Sequence, residues 1–187
     1  MEKVFLGMII VGAAFILSGC ETTNSTPYKA STENVISIQK NTPAGAKVEL
    51  GEIASNAEAA AWPVCRLSGA VNVAPGKTPA QYIKEALQEE LFMAQIYQHG
   101  APTTISGRLE DLNFSSVSPA SWSITLSVKS NVSQGYTVSV KYPFDTSWSA
   151  YSACRNVAAA FGPAVQDLLK QVVNNPKFPE LVGSTNK

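Results

Sequence analysis

Two stretches, Trp122-Ser123-Ile124-Thr125-Leu126-Ser127-Val128-Lys129 and Tyr136-Thr137-Val138-Ser139-Val140-Lys141-Tyr142, decide the fold class of this chain. Apolar and polar residues alternate strictly in both. Successive side chains of a strand point to opposite faces, so Trp122, Ile124, Leu126 and Val128 face one way, and Ser123, Thr125, Ser127 and Lys129 the other. Tyr136, Val138, Val140, Tyr142 and Phe144 repeat the pattern after a turn at 131–135. Two such runs read as a hairpin with one face on a core and the other in water.

Working upstream, Ile105, Gly107 and Leu109 alternate in one phase, while Leu112 and Phe114 alternate in the other. A bulge near Glu110-Asp111 reconciles the two. Before that strand, Pro75-Gly76 marks a turn and Thr78 reads as a helix N-cap, with Pro79 at the first helical position and Gln81 closing a capping box. The helix is expected over 79–98. Its stripe is Ile83, Leu87, Leu91 and Ala94, widened by Tyr82, Ala86, Met93 and Tyr97. Further upstream, 48–53 and 65–73 read as strands. Downstream, a last helix is expected to start near Asp145-Thr146-Ser147, with Ala150, Cys154, Val157, Phe161, Val165, Leu168 and Val172 on one face. Pro163 interrupts it and is expected to kink it. The order is β-β-α-β-β-β-α. It predicts an α+β domain, with an antiparallel or mixed sheet of about five strands and two helices packed on its apolar face.

The N-terminus reads differently. Residues 4–17 form an apolar run after Lys3, too short for a spanning helix and suited to a signal-peptide core. It ends in Leu17-Ser18-Gly19-Cys20, which resembles the lipobox of bacterial lipoproteins: a bulky aliphatic, two small residues, then the modified cysteine. That resemblance implies cleavage before Cys20, a diacylglycerol on its thiol and usually an acylated amino group. Several chains, each CH₂ worth roughly 0.8 kcal/mol, anchor stably. The alternative is an ordinary secretory signal with a chance cysteine. Glu21 follows, where inner-membrane retention in enterobacteria typically uses aspartate, so the expected location is the periplasmic face of the outer membrane. Residues 21–46 are rich in Ser, Thr, Asn and Pro and read as a tether spanning roughly 25–30 Å. Val35-Ile36-Ser37-Ile38 is alternatively a short docked strand. The expected division is therefore 1–19 signal, 20–46 lipidated cysteine and tether, and 47–187 a single periplasmic domain.

Of 187 residues, 45% are hydrophobic and 15% charged, as suits a folded domain rather than a disordered chain. Net charge is zero and no Lys/Arg cluster occurs, which argues against a nucleic-acid partner. With Cys20 assigned to lipid, Cys65 and Cys154 remain of three cysteines. An oxidising compartment favours one disulfide between them, closing a loop worth roughly 4–5 kcal/mol in the chain-entropy model. Two buried free thiols are the alternative. Neither metal nor cofactor is expected, because two isolated cysteines and the lone His99 make no ligand spacing. His99 reads as a cation at a helix C-terminus. Glu89-Glu90 and Glu110-Asp111 are expected as solvated surface, since neighbours in sequence rarely share a site. No Gly-rich phosphate loop, HExxH or G-x-S-x-G occurs, and no enzyme activity is expected. Trp122, Tyr136, Tyr142, Phe144 and Trp148 pack a core or line a groove. Trp148, at a loop–helix junction, is the one to watch.

Several stretches carry a second resemblance: Pro75-Gly76-Lys77-Thr78 with 82–87, Ile105-Ser106-Gly107, Ser121-Trp122, Ala153-Cys154, 163–168 and Phe178. Over roughly 71–181 the chain is similar to a group of small, mostly hypothetical proteobacterial lipoproteins, which lends no catalytic residues. The element order also resembles small α/β modules of envelope-assembly lipoproteins, such as the peptidoglycan-synthase activators and the amino-terminal domain of TolB. Fold likeness does not fix function. The expectation is a membrane-anchored envelope accessory or protein-interaction module with an envelope protein as partner. The alternative is a carrier or sensor of an apolar ligand.

Overall fold

The computed structural model describes residues 27–183 and the backbone of Thr22–Thr23. In chain order the elements are β1 (Thr22–Thr23), α1 (Thr32–Asn41), β2 (Val48–Ser55), a single 3₁₀ turn (Ala57–Ala59), β3 (Val71–Asn72), α2 (Pro79–Met93), β4 (Thr103–Ser115), β5 (Ser121–Ser130), β6 (Ser133–Pro143), α3 (Ala150–Val173) and α4 (Phe178–Leu181).

The two alternating stretches form the antiparallel pair β5–β6, with Trp122 opposite Tyr142 and Leu126 opposite Val138. β4 pairs antiparallel with β5, and its register slips between Leu109 and Asp111, where the apolar phase changes and a bulge is required. β2 adds to the other side of β4 in parallel. The main sheet is therefore mixed, in the order β2-β4-β5-β6. Ile105, Leu109, Leu112, Trp122, Ile124, Leu126, Val128, Val138 and Val140 are buried on one face. The opposite face carries hydroxyl pairs across strands: Thr125 with Ser139 and Ser127 with Thr137, each at 2.9 Å. Such pairs satisfy one another at a wet surface.

Both expected helices cover the apolar face, α3 against β5 and β6 and α2 against β2. The α3 stripe from Cys154 to Val172 is buried, and the helix runs through Pro163 to Val173. Between sheet and helices lies a chain of aromatic rings. Phe161 contacts Trp62, Tyr82 and Trp122 at centroid distances of 5.0, 5.2 and 4.9 Å, and Trp122 in turn meets Phe114 at 4.9 Å. These tilted geometries suit the ring quadrupoles. The Trp122 indole donates to the Val157 carbonyl at 2.9 Å, so its one polar atom is satisfied in the core.

Four expectations need correction. The sheet has four strands, not five, because 65–73 does not form one. Arg66 and Gly69 take positive φ (51° and 91°), and the Cys65 N–H bonds to the Gly69 carbonyl, closing a tight turn. Only Val71–Asn72 remains extended, paired in parallel with β1. Second, 27–46 is no free tether: residues 32–41 form α1, which lies across α2 and α3. Nor is Val35-Ile36-Ser37-Ile38 a strand. The buried pair is Asn34 and Ile38, four apart, while Ile36 is exposed, which is the helical period. Third, α2 stops at Met93 instead of running to 98. Gln95 adopts φ 63°, its N–H bonds to Phe92 O, and that of Ile96 bonds to Leu91 O. This is a Schellman end. Ile96 and Gln98 then hydrogen-bond alongside Val48 of β2, and Met93 is exposed rather than part of the stripe. Fourth, α3 begins at Ala150, capped by the Ser149 hydroxyl, rather than at 145–147, and Ala150 itself is exposed.

Candidate functional site

Cys65 and Cys154 form a disulfide with Cα atoms 5.8 Å apart. It fixes the 63–70 turn against the first turns of α3. The next residue, Arg66, binds three loops together. Its guanidinium donates to Ser116 Oγ (3.2 Å) and Ser116 O (2.9 Å), to Ser147 O (3.3 Å) and to Trp148 O (3.3 Å). The Thr146 hydroxyl also donates to Ser116 O. Charge-assisted bonds of this fork geometry hold loop carbonyls that no sheet or helix satisfies.

Around this hub, large apolar side chains point outward. Trp148 and Leu67 are fully exposed, at 102% and 104%, and Val64, Val117 and Tyr151 are also exposed. A groove of about 370 Å³ lies beside the hub, lined by Arg66, Val117, Ser118, Thr146, Ser147 and Trp148. Burying side chains of this size is worth roughly 1.5–3 kcal/mol each, and here several are left in water.

A second cluster is buried. Glu90 has no solvent exposure. Its Oε1 accepts from the Tyr28 hydroxyl (2.6 Å), the Asn34 amide (3.0 Å) and the Ser31 N–H (3.2 Å), while Oε2 has no partner. Burial raises the Glu90 pKa; the three donors oppose that and the Glu89 charge adds to it. Burial, followed by the Glu90 charge, holds the Tyr28 hydroxyl firmly protonated. Burial also pushes Tyr82 up to about 12. Asn34 uses its second amide hydrogen on Gln166 O at 2.9 Å. The cluster thus joins the 27–34 segment and α1 to α2 and α3.

The sequence-derived candidates distribute as follows. His99 does not cap a helix: it lies beyond the end of α2, exposed, with Nδ1 2.6 Å from Glu49 Oε1. Glu89 and Glu90 diverge as expected, but Glu90 is buried rather than solvated. Glu110 accepts from Asn56 and Asp111 from Asn113, and the two make no shared site. Among the described residues no group of three or more His, Cys, Asp or Glu could hold a metal. Leu17, Ser18, Gly19 and Cys20 lie outside the described residues. Trp122 is core, whereas Trp148 is surface. Sequence reasoning missed Arg66 and Glu90. Glu90 follows Ile83 by seven and Leu87 by three, which puts a carboxylate on an apolar stripe and is a usable signal. For Arg66 no signal exists, since its partners are backbone carbonyls about 50 and 80 residues away.

No family model matches the chain, and no curated protein matches it. Among solved structures, protein XCC0632 from Xanthomonas campestris, described as DUF330, shares its fold: it superposes with a TM-score of 0.54 at 6% identity, covering 82% of this chain and 94% of that one. Two likenesses are weaker. A PelC dodecamer from Paraburkholderia phytofirmans gives a TM-score of 0.38 at 11% identity, covering 77% and 92%. An uncharacterized protein gives 0.41 at 9%, covering 81% and 99%.

Proposed function

We propose that this chain is a lipoprotein held at the periplasmic face of the outer membrane, where its domain serves as an envelope accessory module that binds another envelope protein. One observation carries the reading. Three cysteines are present, two are joined as Cys65–Cys154, and the third stands in Leu17-Ser18-Gly19-Cys20. A structural disulfide suits an oxidising compartment outside the cytosol. Cys20 is then the thiol left for a diacylglycerol, in the motif that accepts one.

The module role rests on the surfaces. Among the described residues β6 pairs only with β5, so one side of an 11-residue strand is an edge of the sheet. Exposed edges accept a further strand from a partner. The second reading, a carrier of an apolar ligand between sheet and helices, is less well supported, because Trp62, Tyr82, Trp122 and Phe161 fill that space. The test has two arms. Intact-mass analysis of protein taken from membranes is expected to show a chain starting at an acylated Cys20. Reversible cross-linking in cells, followed by affinity purification, is expected to recover one envelope protein in stoichiometric amount. An unacylated N-terminus refutes the anchor; repeated recovery of nothing specific refutes the module.

A further inference from the structure

We infer that the apolar rim around Arg66, carrying Leu67, Val117 and Trp148, seats in the headgroup region of the lipid bilayer as a second, non-covalent membrane contact beside the acylated Cys20. The inference rests on the lipoprotein reading above and says where the bilayer lies relative to the fold.

The first ground is the register of the N-terminal strand. Thr22 lies opposite Val71 and Thr23 opposite Asn72. Residue 20 is two positions before Thr22, and an extended chain advances at most about 3.3–3.6 Å per residue. The anchor cysteine therefore cannot lie more than about 7 Å from the Thr22 Cα. Val71 itself follows the 63–70 turn, and Val64 is bridged to Ala70 beside it. That turn presents Val64 and Leu67. Acyl chains on Cys20 would thus enter the bilayer next to the apolar rim, and the domain could not stand off at the distance a free tether would allow.

The second ground is the chemistry of the rim. Its apolar members sit on three loop tips and at the first turn of α3, and they protrude. Trp148 and Tyr151 are the side chains that favour the membrane–water boundary, because each joins an apolar body to a polar tip. Leu67 and Val117 supply the part that enters the acyl boundary. Arg66 spends its donors on loop carbonyls within the rim, and Arg155 lies 5.6 Å from the Tyr151 ring centroid. Both cations can remain at headgroup depth. Asp145 is the exposed carboxylate on the same loop as Trp148; its backbone carbonyl accepts from Asn156, which orders that loop. The third ground is rigidity. The disulfide and the Arg66 hub hold the three tips in one arrangement, so seating them requires no loop ordering.

Tryptophan fluorescence tests this on the full-length protein purified from membranes. The protein is reconstituted into phosphatidylethanolamine–phosphatidylglycerol vesicles with and without lipids brominated near the headgroup end of the acyl chain. Of the three tryptophans, Trp122 is in the core and Trp62 packs against it. The expected result is bromine quenching of one component of the emission, lost in Trp148→Phe and reduced in Leu67→Glu. Both substitutions are at fully exposed side chains, so both variants are expected to keep the fold. Mass analysis of the same sample reads the acylation of Cys20. Acylated protein whose Trp148 emission is unaffected by bromine overturns the rim contact and leaves the lipoprotein reading standing. A blue-shifted Trp148 that bromine does not quench means that protein covers the rim, and also overturns it. An unacylated Cys20 overturns both, since the anchor is what locates the bilayer.

Discussion

At Glu90 a carboxyl with no solvent exposure receives three donors on one oxygen and none on the other. Its folded pKa is raised, chiefly by burial, so the native state binds its proton more tightly than the unfolded chain does. The linkage sign follows. Glu90 contributes its full stability below the unfolded value of about 4.5, and that contribution is lost as pH rises through the folded pKa. Glu90→Gln keeps an acceptor for Tyr28, Ser31 and Asn34 and has no charge to bury. Urea titrations at pH 5 and pH 8 are expected to show the variant gaining on the wild type at the higher pH; an equal difference at both refutes the assignment. Glu90→Ala leaves the buried Asn34 amide and two partly buried donors, Tyr28 and Ser31, without their shared acceptor, and is expected to lose about 2–3 kcal/mol in the same titration at pH 5. The disulfide is the other residue-scale device. It closes a separation of 89 residues, for which the chain-entropy model gives about 4–5 kcal/mol. Equilibrium urea curves with and without reductant check this. Reductant is expected to lower the midpoint of the wild type and to leave that of Cys65→Ala/Cys154→Ala unmoved. Coincident wild-type curves would mean that the bond adds nothing.

At the scale of elements, α1 gives the sharpest distinction between a tether and a built part of the domain. Ile38 is fully buried, and a large-to-small change at such a site costs about 2–5 kcal/mol. Ile38→Ala is expected to fall in that range by urea denaturation, whereas a loose tether would register no loss. Thr78 makes both halves of a capping box with Gln81, at 3.2 and 2.8 Å, so Thr78→Ala is expected to cost about 1 kcal/mol, read from the same kind of titration. The two helices also mark what was legible in the chain. The α2 start was readable because its signal is local: Thr78, Pro79 and Gln81 lie within four residues. The β4 bulge was readable because apolar phase changes there, and β5–β6 because every second residue is apolar. α1 was not readable, since its inward positions include a polar residue, Asn34, that bonds to Glu90 and to Gln166 O. Its apolar residues, Val35, Ile36 and Ile38, are few and also fit the alternation of a short strand. The end of α2 was hidden because a left-handed Gln95, not a glycine, terminates it. The 65–73 stretch carried β-branched residues, but the disulfide and the Arg66 hub bend it into a turn. For α1 and the 65–73 turn, contacts distant in sequence decide the local conformation. The candidate surface fails in the same way: Trp148 stood out at a loop–helix junction, while Leu67, Val117 and Arg66 join it only through the fold.

For the whole molecule, the proposed anchor would decide how the other features act together. β1 begins at Thr22, so a lipid on Cys20 would be separated from folded structure by one residue. Among the described residues no helix is long and apolar enough to cross a membrane. Cys20→Ala removes the thiol proposed to accept the diacylglycerol. The peptidase that acts on lipoboxes works on the lipidated form, so the variant is expected to keep its first 19 residues as well. Fractionation is then a poor readout, because the retained apolar segment at 4–17 can hold the precursor at the inner membrane. Metabolic labelling with a palmitate analogue separates the cases. The wild type is expected to take up label and migrate as the shorter chain; Cys20→Ala is expected to take up none and migrate as the longer one. Label on the variant would move the acyl site elsewhere, and an unlabelled wild type would remove the anchor altogether. Because Cys65 and Cys154 are joined and buried, neither can substitute for Cys20 as the acceptor, so the presence or absence of label reports on that residue alone.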